Sequence, residues 1–257
     1  MSDTILLEVR DGLARLTLNR PGSLNAVDVE MGIRWRDLAH EVTADPAVGA
    51  VILDAAGPAF CAGGDVIAMS AGGVGITRIA HVIHDGIRTL VESNIPVVAA
   101  VQGAVAGGGL GLMLTADHIV AGERATFVSR YANVGLTPDL GVSTLLPAAI
   151  GQRRALRLLL QDETLDAATA LDWGLVSEVV PDPAARAEEV ARFWLGNATA
   201  AFGQAKRLVR TGAGRSFAAN LDDEAATIGA AFGTPEAQAR IAAFAAASAR
   251  RQGPDSP

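Results

Sequence analysis

The sequence predicts an α/β fold organised around parallel strands. Two observations carry that expectation: short apolar, β-branched runs alternate with helical patterns up to Val180, and only helical patterns follow Pro183. A third is the uncharged run over residues 95–116, IPVVAAVQGAVAGGGLGLMLTA. By length it would suit a membrane span, but its internal order argues against one. Pro96-Val97-Val98-Ala99-Ala100-Val101 suits a buried strand, Gln102-Gly103 a turn, and Gly107-Gly108-Gly109 the entry to a helix over 110–115. Five glycines within nine residues would make a poor lipid-facing helix. They suit close approach of a ligand to bare backbone N–H groups.

In chain order, Ile5 to Arg10 and Leu13 to Leu18 flank Asp11-Gly12 and read as a β-hairpin. Pro21-Gly22-Ser23 breaks the chain, and Asp28 is placed to cap a helix reaching about residue 43. Val51-Ile52-Leu53 is a short buried strand, followed by the loop Gly57-Pro58-Ala59-Phe60-Cys61-Ala62-Gly63-Gly64-Asp65. Residues 67–76 are rich in glycine and small residues and read as a mobile loop, with a helix over about 77–92. Two short strands, 118–121 and 125–128, follow the glycine-rich helix. A turn spans 135–141, helices lie on either side of Gly151, and one more strand covers 176–180. The helices after Pro183 are separated near Asn197, Gly212 to Gly214 and Gly233, and the tail 253–257 reads as disordered.

At 257 residues, half of them hydrophobic, the chain can bury one large core, or a core and a small appendage. A net charge of −7 without any Lys/Arg cluster argues against a nucleic-acid partner. The N-terminus has an early acid and no long apolar run, unlike a secretory signal, so a soluble cytoplasmic protein is expected, with no membrane partner. The single cysteine, Cys61, excludes an intrachain disulfide framework.

Two glycine turns dominate the candidate chemistry. Ala62-Gly63-Gly64-Asp65 follows a strand, and Gly107-Gly108-Gly109 opens a helix, where unpaired N–H groups favour negative charge. Together they either offer two backbone donors to one oxygen, an oxyanion hole, or simply permit tight strand–helix packing. Residue types alone leave both open. Neither turn fits GxGxxG and no GxxxxGK[ST] occurs, which disfavours dinucleotide and P-loop sites.

Asn19-Arg20-Pro21 with Asn25-Ala26, then Ala59 to Asp65, then Ala100 to Gly109, are followed in order by Ala116-Asp117, Phe127, Gly135-Leu136-Thr137-Pro138-Asp139 and Ala170 to Val176. This succession, over nearly the whole chain, resembles the crotonase (enoyl-CoA hydratase/isomerase) superfamily. The resemblance implies a spiral of ββα units over 1–195 carrying an acyl-CoA site, and a C-terminal helical region, 196–257, used for oligomerisation as a homotrimer or dimer of trimers. It implies oxyanion donors at the amides of Gly64 and Gly108. It also puts Ala26, Ala62, Gly64, Val66 and Gly108 at the CoA-binding positions. Coenzyme A would be part of the substrate, with no separate cofactor.

The carboxylates decide what such an enolate does next. Hydratase members carry two glutamates, and their positions fall here on Gly111 and Tyr131. Asp139 matches the position at which isomerase-type members place an aspartate. One carboxylate can take a proton from one carbon and return it two carbons away, which is all an allylic double-bond shift requires. The expected activity is therefore isomerisation of an enoyl-CoA, catalysed by Asp139, Gly64, Gly108 and, in a supporting or space-filling role, Tyr131. Hydration, thioester or halide hydrolysis by Asp139, and non-catalytic acyl-CoA binding are the rivals. Lysines that some members set near the CoA phosphates are replaced by Pro58 and Ile67, which would shift that contact to Arg20 or to Lys206 of a neighbouring subunit. His81 and His84 share a helix face, but no Cys, Asp or Glu cluster completes a metal site, so none is expected. Cys61 reads as a small buried filler, and Asp65 and Asp117 as loop braces.

Overall fold

The computed structural model describes residues 3–71, 75–161 and 163–251. The first hairpin, β1 (Ile5–Arg10) and β2 (Leu13–Leu18), turns on Asp11 and Gly12, both at positive φ, the conformation that matches strand twist in a two-residue hairpin. Helix α1 (Val29–Ala44) starts where Asp28 accepts the Met31 amide at 2.8 Å. Then come β3 (Ala50–Ala55), α2 (Val66–Ala71), α3 (Ile76–Glu92), β4 (Val97–Val101), β5 (Ala104–Ala106), α4 (Gly108–Leu114), β6 (His118–Gly122) and β7 (Thr126–Val128). The remainder is α5 (Val142–Ile150), α6 (Gln152–Leu160), β8 (Thr164–Asp166), α7 (Ala167–Trp173), β9 (Glu178–Val180), α8 (Pro183–Leu195), α9 (Thr199–Gly212), α10 (Phe217–Phe232) and α11 (Pro235–Arg251).

The main sheet has the order β1-β2-β3-β4-β6-β9, antiparallel only at the hairpin. Its strands alternate between two apolar layers. Val51, Leu53, Val97, Ala99 and Val101 face the larger core with Met31, Trp35 and Leu38 of α1, whereas Ala50, Ile52, Val98 and Ala100 face Ala187, Val190 and Ala191 of α8. Burial on both faces explains why β4 lacks polar residues. Among the described residues, no helix is long and apolar enough to cross a membrane.

Successive turns of chain place one strand in this sheet and the next in a second sheet, ordered β5-β7-β8. The Cys61–Val105 bridge continues that ladder to the loop after β3. This is the α/β spiral of ββα units. The three-residue strands β5 and β8 were not anticipated, and the last strand of the main sheet is shorter than the expected 176–180.

Residues 67–71, read from composition as part of a mobile loop, belong to helix α2. Its first turn is capped by Asp65, which accepts the Ala68 amide at 3.0 Å. The remainder of that expectation falls partly on residues 72–74, outside the described residues, as does the expected disordered tail 253–257. Lys206 on α9 is a second correction. Its Nζ donates to the carbonyls of Leu90 and Ile95, both at 2.7 Å, and lies 3.1 Å from Asp117, with 4% of the side chain exposed. Burial pushes its pKa down, with Asp117 opposing. It ties α9 to the core and is not available to a neighbouring subunit's ligand.

Candidate active site

The first glycine turn is assembled by the loop that precedes α1. Asn25 is fully buried, accepts the Arg20 amide, and donates to the carbonyls of Ala56 and Ala59, both at 2.9 Å. Val27 then pairs across to the turn: its amide donates to Gly63 at 2.8 Å and its carbonyl accepts from Asp65 at 2.8 Å. Arg20 also donates to the Ala26 carbonyl and pairs with Asp28 at 2.9 Å and Asp65 at 3.2 Å. Arg20 is thus a brace between loops, which corrects its expected role at a CoA phosphate. Asp65 and Asp117 act as braces as read from the sequence, Asp117 accepting the Val97 amide and pairing with Arg210.

The second turn lies directly against the first. The Cys61 amide donates to Ala104, and the Ala106 amide to Cys61 at 2.9 Å. A Cβ on Gly109 would sit 2.4 Å from the Cys61 carbonyl oxygen, and one on Gly63 would sit 3.0 Å from that of Ala106 and 3.6 Å from the Gly108 nitrogen. Only glycine permits this approach. Among the described residues, no backbone carbonyl accepts from the amides of Gly64 or Gly108. Cys61 is buried beneath the turns, its thiol donating to the Asn25 carbonyl at 3.1 Å, and burial pushes its pKa up to about 12.

Both turns line one cavity of about 770 Å³. Its wall is mainly aliphatic, with Val27, Val66, Ile76, Ile83, Leu136 and Leu140 contributing, and Ala62 at the edge of the first turn. Of the sequence-predicted residues, Ala62, Gly64, Val66, Gly108, Tyr131 and Asp139 all line this cavity; Ala26 lies outside the wall, next to Val27.

Tyr131 and Asp139 meet here. The Tyr131 hydroxyl donates to Asp139 Oδ1 at 2.7 Å. Desolvation and then the nearby Asp139 charge push the phenol's pKa well above its usual value, so it is a donor throughout the working range. The reading of Tyr131 as a space-filler is therefore incomplete, because the hydroxyl braces the carboxylate. Asp139 Oδ1 also lies 3.6 Å from where a Gly108 Cβ would be, beside the second turn.

Leu140 was not singled out from the sequence, yet it shapes this corner. A Cβ on Gly111 would fall 2.2 Å from the Leu140 carbonyl oxygen, and one on Gly108 2.8 Å from Leu140 Cδ1. Position 111, where hydratase members carry a glutamate, has no room for any side chain with this backbone. His84 was also missed as part of the site: read only as half of a histidine pair, it accepts the Leu140 amide at 3.0 Å. Among the described residues, no three His, Cys, Asp or Glu side chains are grouped to hold a metal ion.

The family model described as enoyl-CoA hydratase/isomerase matches residues 8–249. The chain belongs to the enoyl-CoA hydratase/isomerase family. Among its relatives, a probable enoyl-CoA hydratase of Mycobacterium tuberculosis is 39% identical over 191 residues, 74% of each chain. The 1,2-epoxyphenylacetyl-CoA isomerase of Escherichia coli is 32% identical, covering 87% of this chain and 88% of its own. A 4-chlorobenzoyl coenzyme A dehalogenase of Arthrobacter is 30% identical, covering 93% and 90%. The crystal structure of an enoyl-CoA hydratase/isomerase from Cupriavidus metallidurans superposes with a TM-score of 0.86 at 31% identity, covering 95% of this chain and 94% of that one. These family members differ in reaction, so membership alone does not select one.

Proposed function

We propose that this family member is an acyl-CoA isomerase that moves a double bond in an enoyl-CoA thioester. The carrying observation is the Tyr131-braced carboxylate of Asp139 beside Gly108, combined with the absence of space for an acid at Gly111. In this reading the thioester oxygen sits between the amides of Gly64 and Gly108. As Asp139 takes a proton from the α-carbon, the charge moves to that oxygen, where preorganised donors stabilise it most. Asp139 then returns the proton to the γ-carbon, which moves the double bond into conjugation. Ala26, Ala62 and Val66 border the path of the CoA arm, which belongs to the substrate, and no separate cofactor takes part.

Residues 1–195 form the ββα core with the acyl-CoA site, and 196–257 serve assembly into a homotrimer or a dimer of trimers in the cytoplasm. The exposed apolar side chains Phe217, Ile228, Phe232 and Phe244 on α10 and α11 support that role.

The direct test is incubation with a 3-enoyl-CoA and, separately, with a 2-enoyl-CoA. Growth of conjugated-thioester absorbance with the first is expected. Its loss with the second, and no change with the first, would make the protein a hydratase. Silence in both with measurable binding would make it a non-catalytic binder. A second reading, in which Asp139 attacks or activates water, is favoured by the dehalogenase relative, and release of chloride from 4-chlorobenzoyl-CoA would establish it.

A further inference from the structure

A residue outside the cavity wall holds the backbone next to Asp139. The peptide unit joining Asp139 to Leu140 is held at both polar ends: the Val142 amide donates to the Asp139 carbonyl at 2.9 Å, and the Leu140 amide donates to His84 Nε2 at 3.0 Å. Leu140 has φ +48, a left-handed conformation that leucine rarely adopts. Such a backbone persists only where its surroundings over-determine it. Next to this peptide, the Leu140 carbonyl lies over Gly111, the Leu140 side chain lies over Gly108, and the Asp139 carboxylate meets the Tyr131 hydroxyl.

We propose that His84 is a positioning residue for this site: the lone pair on its Nε2 holds the 139–140 peptide, and thereby keeps the Asp139 carboxylate aimed at substrate. Accepting from Leu140 requires Nε2 to be unprotonated, so the ring is neutral with its proton on Nδ1. Titratable groups near His84 include His81, whose ring stands edge-on at 6.5 Å, and, beyond Leu140, Asp139 with Tyr131. Elsewhere on α3, Asp85 pairs with His40 of α1 at 2.7 Å, and Lys206 of α9 reaches Leu90.

The kinetic arm of the test rests on the isomerase reading of Asp139, and the exchange arm does not. Turnover of a 3-enoyl-CoA and hydrogen exchange at the Leu140 amide are measured for the full chain and for His84→Ala and His84→Gln. His84→Ala is expected to lower kcat by about tenfold or more with KM nearly unchanged, and to accelerate Leu140 exchange by a similar factor. His84→Gln, whose side-chain oxygen can accept the same N–H, recovers most of both.

Normal kcat and exchange in His84→Ala, or glutamine no better than alanine in both, would overturn the proposal. If the wild-type protein does not turn over the 3-enoyl-CoA, the isomerase reading fails and Leu140 exchange alone decides the role of His84. If His84→Ala does not fold, His84→Gln decides: wild-type-like Leu140 protection together with near-wild-type kcat supports the proposal, and lost Leu140 protection with unchanged kcat overturns it.

Discussion

The two glycine turns and the segment over residues 130–141 border the same cavity but are held by different means. The turns are fixed mainly by backbone, with Asn25 bracing the loop before the first: the Val27–Gly64 and Cys61–Val105 bridges, and approaches so close that a Cβ on Gly109 would overlap the Cys61 carbonyl. The 130–141 segment has backbone bonds of its own, such as Leu136 to Tyr131 and Val142 to Asp139, but its reactive end leans on side chains, Tyr131 on Asp139 and His84 on Leu140, and it holds Arg130 and Leu140 at positive φ. A polarised thioester oxygen needs only main-chain amides, which many sequences can supply. The proton chemistry that follows needs particular side chains at particular places, and these are where one member's reaction can depart from another's.

The largest expected effect breaks the side-chain half alone. Asp139→Asn keeps size and shape but removes the proposed base, so kcat for isomerisation should fall about 10²–10⁴-fold, the usual span for general acid–base groups. Acyl-CoA affinity by calorimetry should stay within several-fold. Near-normal turnover would remove Asp139 from the mechanism.

Gly109→Ala attacks the backbone half. The clash is with a carbonyl in a bridged turn, so destabilisation of about 1–3 kcal/mol is expected in denaturant unfolding. The rate should also fall by about 10²–10³, the loss seen when one oxyanion donor is displaced. A variant that matches wild type in both measurements would mean the turns can separate freely.

Tyr131→Phe sharpens the comparison, because it leaves both turns untouched. A hydrogen bond to a charged group contributes about 1.5–3 kcal/mol, so kcat should drop about tenfold or somewhat more. An unchanged kcat would reduce the phenol to packing.

The smallest effect is a null one. With its pKa pushed up to about 12 by burial, Cys61 has almost no thiolate near neutral pH, and thiolate is the reactive form. Intact-mass measurement should find native protein unlabelled by iodoacetamide and unfolded protein fully labelled. Rapid labelling of the native form would show the turns opening.

Much of this was legible in the sequence, for identifiable reasons. The hairpin announced itself through Asp11-Gly12, the α1 start through Asp28, and β4 through an apolar run that only a two-sided burial requires. The glycine turns, Tyr131 and Asp139 stood at positions that the resemblance marked. What escaped was set by tertiary contact. Strands β5 and β8 are three residues long, too short for a period to register. Helix α2 hid in a glycine-rich stretch because its cap, Asp65, was read only as a loop brace. Lys206 was read as a candidate phosphate contact for a neighbouring subunit because a cage of carbonyls from residues 90 and 95 cannot be read from position 206. Leu140 gave no warning, since nothing about leucine signals a left-handed backbone.

The Leu140 carbonyl over Gly111 also bears on how this site can change over generations. A glutamate introduced at 111 would meet backbone, which cannot rotate aside as a side chain would. Descent from the present site to a two-glutamate one therefore cannot begin at that position. The bend at 139–141 would have to retreat first, so the order of substitutions is constrained.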